Sequence, residues 1–569
     1  MTDSRHTPPH WVWVAGFIAT ALLSIGPLWL VSRDIWDGII GSYGIAIGDL
    51  AGIYDWLVPG NWDLMYAIFR SLSWLTNHLA FESWIAAKLL LTLSVLGIAW
   101  EARRLAIDLL GMTQPEGWAV SMLALSFPCW YLLYGSTFVY IVFIWWGFLG
   151  HRLLHAPATE SRWHRPKQCL GYLLMLTSFQ VNSNFVMVCA LEAARWLARK
   201  PTVRWNYRRS ALVCATAVLV YLMLRFVFTT TGNYAGYNNL IWPISAAGAI
   251  AWLRAGLMFM TWIPLVIGPA CLVWLAANWL KTRGLATKNQ GDVAQSHPVA
   301  LSSTMQTSPK AFGILALLCM GALFAYIAVG KGAPLFVINV APKFLGTATH
   351  LGSQTTAWFY TAVDGWSARH TFLLSVPASL TSAWLIKLAI ARIGSTASAS
   401  GLWVGGVAVA VLTHLAWQWH GHGAKQLRFA QEAAIVKALQ AQAPPPAGLI
   451  DIKINGLLPW SLWTYEANYL TWLAYGQTRW ATVVYTPGTG FVETVLQDRN
   501  HLLHGTGPMR GLSRTYALMT DFKASACQTE FVMDIPNTLN HFSWSRAVLG
   551  GNSLPPATVL KRHQSCIAQ

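Results

Sequence analysis

Residues Val31–Trp62 read VSRDIWDGIIGSYGIAIGDLAGIYDWLVPGNW. Asp34, Asp37, Asp49 and Asp55 stand in this stretch beside Arg33, with Asp63 just after, in a chain of 569 residues of which only 11% are charged. A helical Arg33–Gly38 puts Asp34 and Asp37 three apart on one face. Immediately before lies the apolar run Trp11–Val31, long enough to cross a bilayer. No small-residue cleavage site follows it, so it reads as an uncleaved signal anchor. The acidic stretch therefore sits at a membrane–water boundary. Carboxylates there can take a proton from an incoming hydroxyl or hold a metal ion. The competing reading is a solvated loop whose acids only keep it out of the bilayer.

The rest of the chain favours a membrane setting. It is 55% apolar with 32 Trp, and long apolar segments recur from residue 11 to residue 419, as in a polytopic membrane protein. The formal charge of +17 is no nucleic-acid signature, because no basic stripe with interleaved aromatics occurs. The cations fall in short clusters between apolar runs, the positive-inside pattern, and Trp and Tyr gather near the run ends.

On that rule the N-terminus is inside and the acidic loop to about Ser83 outside. Trp84–Trp100 returns to Glu101, Arg103 and Arg104, inside. Gly117–Tyr134 crosses out, and Phe138–Leu154 returns to His151, Arg152, Arg162, Arg165 and Lys167. A single crossing by Cys169–Trp196 would then strand Arg195, Arg199, Lys200, Arg204, Arg208 and Arg209 outside, against the charge rule. Two short helices meeting at Gln180–Asn184 keep them inside. The polar tip then lies at membrane depth, facing water or protein. Ala211–Phe228, Gly256–Leu280, Phe312–Val329, Thr371–Ile390 and Leu402–Trp419 complete about eleven crossings of ordinary span length.

Composition shifts at His420. Residues 1–419 form the membrane domain, with outer loops 32–83, 229–255 and 330–370, and residues 420–569 a soluble outer domain. There Gln426–Gln442 has helical periodicity, Leu449–Ile454, Trp480–Tyr485 and Glu530–Ile535 read as strands, and Trp460–Tyr475 as a helix, a small α/β unit. Six cysteines fall in or beside apolar segments. Cys527 and Cys566 alone lie in the outer domain, where an oxidising compartment lets them pair.

An uncleaved first span, an acid pair beyond it in Arg33-Asp34-Ile-Trp-Asp37-Gly38, a short helical hairpin, long outer loops and an appended outer domain together resemble the GT-C superfamily. These are integral-membrane glycosyltransferases that use polyprenyl-phosphate sugars. The spacing departs from the adjacent Asp-Asp, Asp-Glu or Asp-x-Asp of many members. The resemblance implies an all-α polytopic domain with a C-terminal extracytoplasmic α/β domain, in a bacterial inner membrane. It also implies hexosyl or pentosyl transfer from an undecaprenyl-phosphate-type donor to a cell-envelope glycan or lipid-linked acceptor. Inversion with one base fits this: Asp34, nearest the first span, with Asp37 next and Asp49 orienting the acceptor. A leaving phosphate requires cations, and Arg225, Arg254, Lys331, Lys343, Arg369 and His370 are the outer candidates, although such side chains also snorkel without function. Gln180, Asn182 and Asn184 either bind sugar or satisfy the broken backbone. A divalent metal is compatible with the acids and not required. Glu466 and Asn468 on the outer helix are carbohydrate contacts or packing residues, and His414, His420 and His422 read as interfacial histidines rather than ligands. Three other readings compete, one of them a non-catalytic membrane scaffold whose outer domain binds a partner. An O-antigen ligase or polymerase type would rely on Arg369 and His370, whereas a lipid or glycan transporter predicts internal pseudo-symmetry, which is not seen.

Overall fold

The computed structural model describes residues 10–30, 84–130, 138–155, 164–179, 183–198, 207–223, 263–282, 309–329, 372–391, 396–455, 464–477, 479–486, 527–535 and 554–566. It is mostly helical with one small sheet. The helices are α1 (His10–Leu30), α2 (Trp84–Leu110), α3 (Gln114–Ser126), α4 (Phe138–Leu154), α5 (His164–Ser178), α6 (Ser183–Ala198), α7 (Tyr207–Leu222), α8 (Ile263–Thr282), α9 (Pro309–Val329), α10 (Ser375–Ala391), α11 (Thr396–Gln440) and α12 (Thr464–Tyr475). Among the described residues four helical stretches are long and apolar enough to cross a membrane: His10–Leu30, Ile85–Leu110, Phe372–Ala391 and Ser400–Gly423. Tyr140–Leu154, Ile263–Trp279 and Pro309–Phe324 are apolar but shorter.

Local chemistry sets several boundaries that differ from the expected spans. α2 continues past Arg103 and Arg104 to Leu110 and stops at Gly111, whose φ of 62° suits a residue without Cβ. α3 starts three residues earlier than expected because Thr113-Gln-Pro-Glu116 is a start signal: the Glu116 carboxylate accepts the Thr113 N–H at 2.7 Å, and Pro115 sits in the first turn. It ends at Ser126, well short of Tyr134, because Pro128 biases Phe127 out of the helical region. The segment Cys169–Trp196 is broken as the charge pattern requires, between Ser178 and Ser183. The two pieces are not each other's main partners: α5 packs chiefly on α4, and α6 on α9.

Side-chain contacts orient the bundle. At one end His10 meets Trp118, Glu116 pairs with Lys387, Arg209 donates to the Leu154 carbonyl, and Arg103 lies over the rings of Trp100 and Trp118. Glu101, Arg152, Glu192 and Arg195 belong to the same end. At the opposite end the last turns of α1 meet α11, and Trp130 stacks on Phe372. Helix α6 thus runs back toward the end from which α5 came, and its Arg195 joins the charged end. α1 begins at the charged end, and α11 leaves the bundle at the other.

The expected boundary at residue 419/420 falls inside α11, an unbroken 45-residue helix. Its apolar residues continue beyond the bundle: Ala430, Ala434, Ile435, Ala438 and Leu439 pack on Ile450, Ile452, Ile454, Phe531 and Met533 of the sheet. That sheet runs β2 (Trp480–Tyr485), β1 (Gly448–Asn455), β3 (Cys527–Asp534), β4 (Thr558–Cys566). β1 is parallel to both neighbours and β4 is antiparallel to β3. Cys527 and Cys566 face each other in that last register and are joined by a disulfide.

Candidate functional site

Asp34, Asp37, Asp49, Arg225, Arg254, Lys331, Lys343, Arg369, His370, Gln180 and Asn182 lie outside the described residues. Asn184 is described. It is buried at the start of α6, and its Nδ2 donates to the Ser178 carbonyl at 3.0 Å, one of the acceptors freed where α5 ends. Gly147 of α4 lies against both Ser178 and Asn184, so the break is packed into protein at that level. This bond is the one that the backbone-satisfying alternative requires of Asn184.

Two polar clusters stand out, one at each end. The first ties α1, α3, α8 and α11. Ser24 Oγ donates to the Leu125 carbonyl at 2.5 Å, and Gln418 Nε2 donates to the Ser24 carbonyl at 2.6 Å. Trp419 Nε1 donates to the Leu23 carbonyl at 2.8 Å. His414 is fully buried rather than interfacial: Nε2 donates to the Leu265 carbonyl at 3.0 Å, and Nδ1 lies 3.3 Å from Ser126 Oγ. His422 is likewise buried. Polar bridges of this kind hold helices together where lipid offers no competing partner. Their consequence is positional: the end of α1 is fastened to the stretch of α11 that leads into the sheet unit.

The second cluster lies at the charged end. Arg152 donates through Nε to both carboxylate oxygens of Glu101, at 3.0 and 2.7 Å. One turn of α4 separates His151 from His155, and both Nε2 atoms meet one oxygen of Glu192 on α6, at 3.1 and 2.5 Å. His151 and Glu192 are buried. Among the described residues these three form the group whose nitrogen and carboxylate atoms gather within 4.8 Å of one another, as metal ligands must. Nothing in the one-dimensional pattern singled them out except the i, i+4 histidines, because Glu192 lies 37 residues beyond His155.

In the sheet unit, Glu466 and Asn468 are buried, with Asn468 Oδ1 accepting the Thr482 N–H at 2.7 Å. Both are packing residues rather than exposed carbohydrate contacts. Trp472 stacks on Tyr469 with ring centroids 5.9 Å apart. No family model, no curated protein and no solved structure matches the chain.

Proposed function

We propose that this chain is a membrane glycosyltransferase. It moves a hexose or pentose from a polyprenyl-phosphate donor to a cell-envelope glycan or lipid-linked acceptor, at the bilayer face where α11 leaves the bundle. The observation that carries the reading is the fastening of α1 to α11 through Ser24–Gln418 and Leu23–Trp419. Asp34 and Asp37 follow Leu30, the end of α1, by four and seven residues in the sequence, and the last turns of α1 are fastened to the helix that carries the disulfide-bonded α/β unit. A lipid phosphate keeps its reactive sugar carbon at the bilayer boundary, and that is where base and acceptor must meet it.

In this reading Asp34 accepts the acceptor's hydroxyl proton as the sugar leaves phosphate with oxocarbenium character. Asp37 is the alternative base, and Asp49 orients the acceptor. One base and one displacement invert the anomeric centre. The phosphate's charge develops against cations drawn from Arg225, Arg254, Lys331, Lys343, Arg369 and His370.

The test uses purified full-length protein and a synthetic polyprenyl phosphate. Expected is a rise in melting temperature with the lipid, retained in Asp34→Asn and Asp37→Asn, together with loss of glycan transfer in cells by one or both variants. No stabilisation, with both variants fully active, overturns the proposal.

A further inference from the structure

The charged end carries a constellation that the transferase reading leaves unused. We propose that His151, His155 and Glu192 bind a divalent transition-metal ion of the zinc class, which clamps the end of α4 to α6.

The donor set is the first ground. Two imidazoles four residues apart, one in the last turn of α4 and one just after it, and a carboxylate from a facing helix supply the donor types of a recognised zinc ligand set, completed by water in the fourth position. The second ground is the convergence of all three side chains. Both Nε2 atoms address the same Glu192 oxygen, and the three ligand atoms lie within 4.8 Å of one another. Bonds of about 2.0–2.1 Å in tetrahedral geometry put ligand atoms roughly 3.3 Å apart. The His151–Glu192 separation of 3.1 Å is already near that. The His155 separation of 2.5 Å must open by less than about 1 Å. His155 lies just beyond the end of α4 and is 11% exposed, so it can make that movement.

The third ground is a hydrogen-bond imbalance. One Glu192 oxygen faces two imidazoles, whereas the other is buried with no hydrogen-bond partner among the described residues. A purely hydrogen-bonded triad would need the Nε2 proton on both rings and would still leave that second oxygen bare, an uncommon state for a buried acceptor. A metal ion takes the nitrogen lone pairs and can draw on either oxygen.

Among the described residues the cation that bears on His151 is Arg195, and acidic groups share its charge. Arg152 is engaged by Glu101, and Arg195, one turn beyond Glu192, is in electrostatic range of Asp108 and Glu101 as well as Glu192. Ions would enter from the His155 side, the least buried of the three.

The experiment uses tag-free full-length protein in detergent, stripped with chelator, reloaded with zinc ion in excess magnesium and desalted. Bound metal and melting temperature are then read for the native chain, His155→Asn, Glu192→Gln and a control, His563→Asn, in the sheet unit. Expected is about one zinc per chain and a zinc-dependent rise in melting temperature. The control should retain both, and His155→Asn and Glu192→Gln should lose both. His155→Asn carries the test if Glu192→Gln fails to fold, because His155 is at the rim. Zinc retained equally by His155→Asn, or no zinc held by the native chain, overturns the proposal. The readouts are independent of glycosyl transfer, so this inference and the proposed activity fail separately.

Discussion

Asn468 and Thr482 show how much of the sheet unit depends on single polar atoms. The Thr482 N–H is buried against Asn468 Oδ1, and the Thr482 hydroxyl pairs with Thr471 at 2.7 Å. Asn468→Ala strands that N–H, and is expected to destabilise the unit by about 1–3 kcal/mol, read as a lower unfolding temperature with faster proteolysis of the C-terminal fragment. Tyr475 is the converse case. Its hydroxyl is buried with no hydrogen-bond partner among the described residues. Burial pushes its phenol up to about 12, against the opposing charge of Arg562. Because the folded pKa lies above the ordinary value of 10, this phenol's contribution to stability is intact below pH 10 and is lost as pH rises from there through about 12. Tyr475→Phe should leave stability at neutral pH unchanged or slightly higher. It should also remove one late-ionising tyrosine from the alkaline absorbance titration. Neither residue's environment was legible in sequence: a helical Asn and a terminal Tyr look alike whether they face protein or water.

At the scale of elements, the α4–α5 pair depends on two glycines. A Cβ on Gly150 would sit 2.7 Å from the Gly171 carbonyl oxygen, and one on Gly171 would sit 2.9 Å from that of Gly150. The backbones therefore touch, the small-residue packing that lets membrane helices associate. Gly150→Val must force them apart, with an expected cost of about 1–3 kcal/mol, checked as a lower melting temperature in detergent. Gly26 and Gly268 have open space around the same position, and alanine there should be tolerated. Helices were the most legible elements, because a long apolar run has few alternatives in lipid. Strand β4 was the least legible. Lys561, Arg562 and His563 give it no apolar alternation, since it is an exposed edge strand whose charges guard against further pairing.

Across the whole molecule, the disulfide and the long helix decide how the two parts act as one. Cys527 and Cys566 close a loop of sequence separation 39 between the last two strands. Cys527→Ser should lower the stability of the sheet unit by about 2–5 kcal/mol, read as protease sensitivity that reductant reproduces in the native chain and does not increase in the variant. Because α1 starts and α11 leaves at opposite ends of the bundle, impermeant labels applied to intact cells should reach a tag at residue 569 and not one at residue 1, in the orientation the positive-inside rule assigns.

Sequence by itself determined the long apolar helices, the interruption of Cys169–Trp196, three of the four strands among the described residues and the pair Cys527–Cys566. Each rests on a local or compositional signal: apolar run length, cation placement, alternation, and cysteines isolated in a polar domain. Only the tertiary structure decided that α11 is continuous through residue 420, that His414 is buried, and that His151, His155 and Glu192 meet. Those facts depend on which helix faces which. Helix faces are chosen by packing between segments far apart in the chain, and no local pattern of residues encodes that choice.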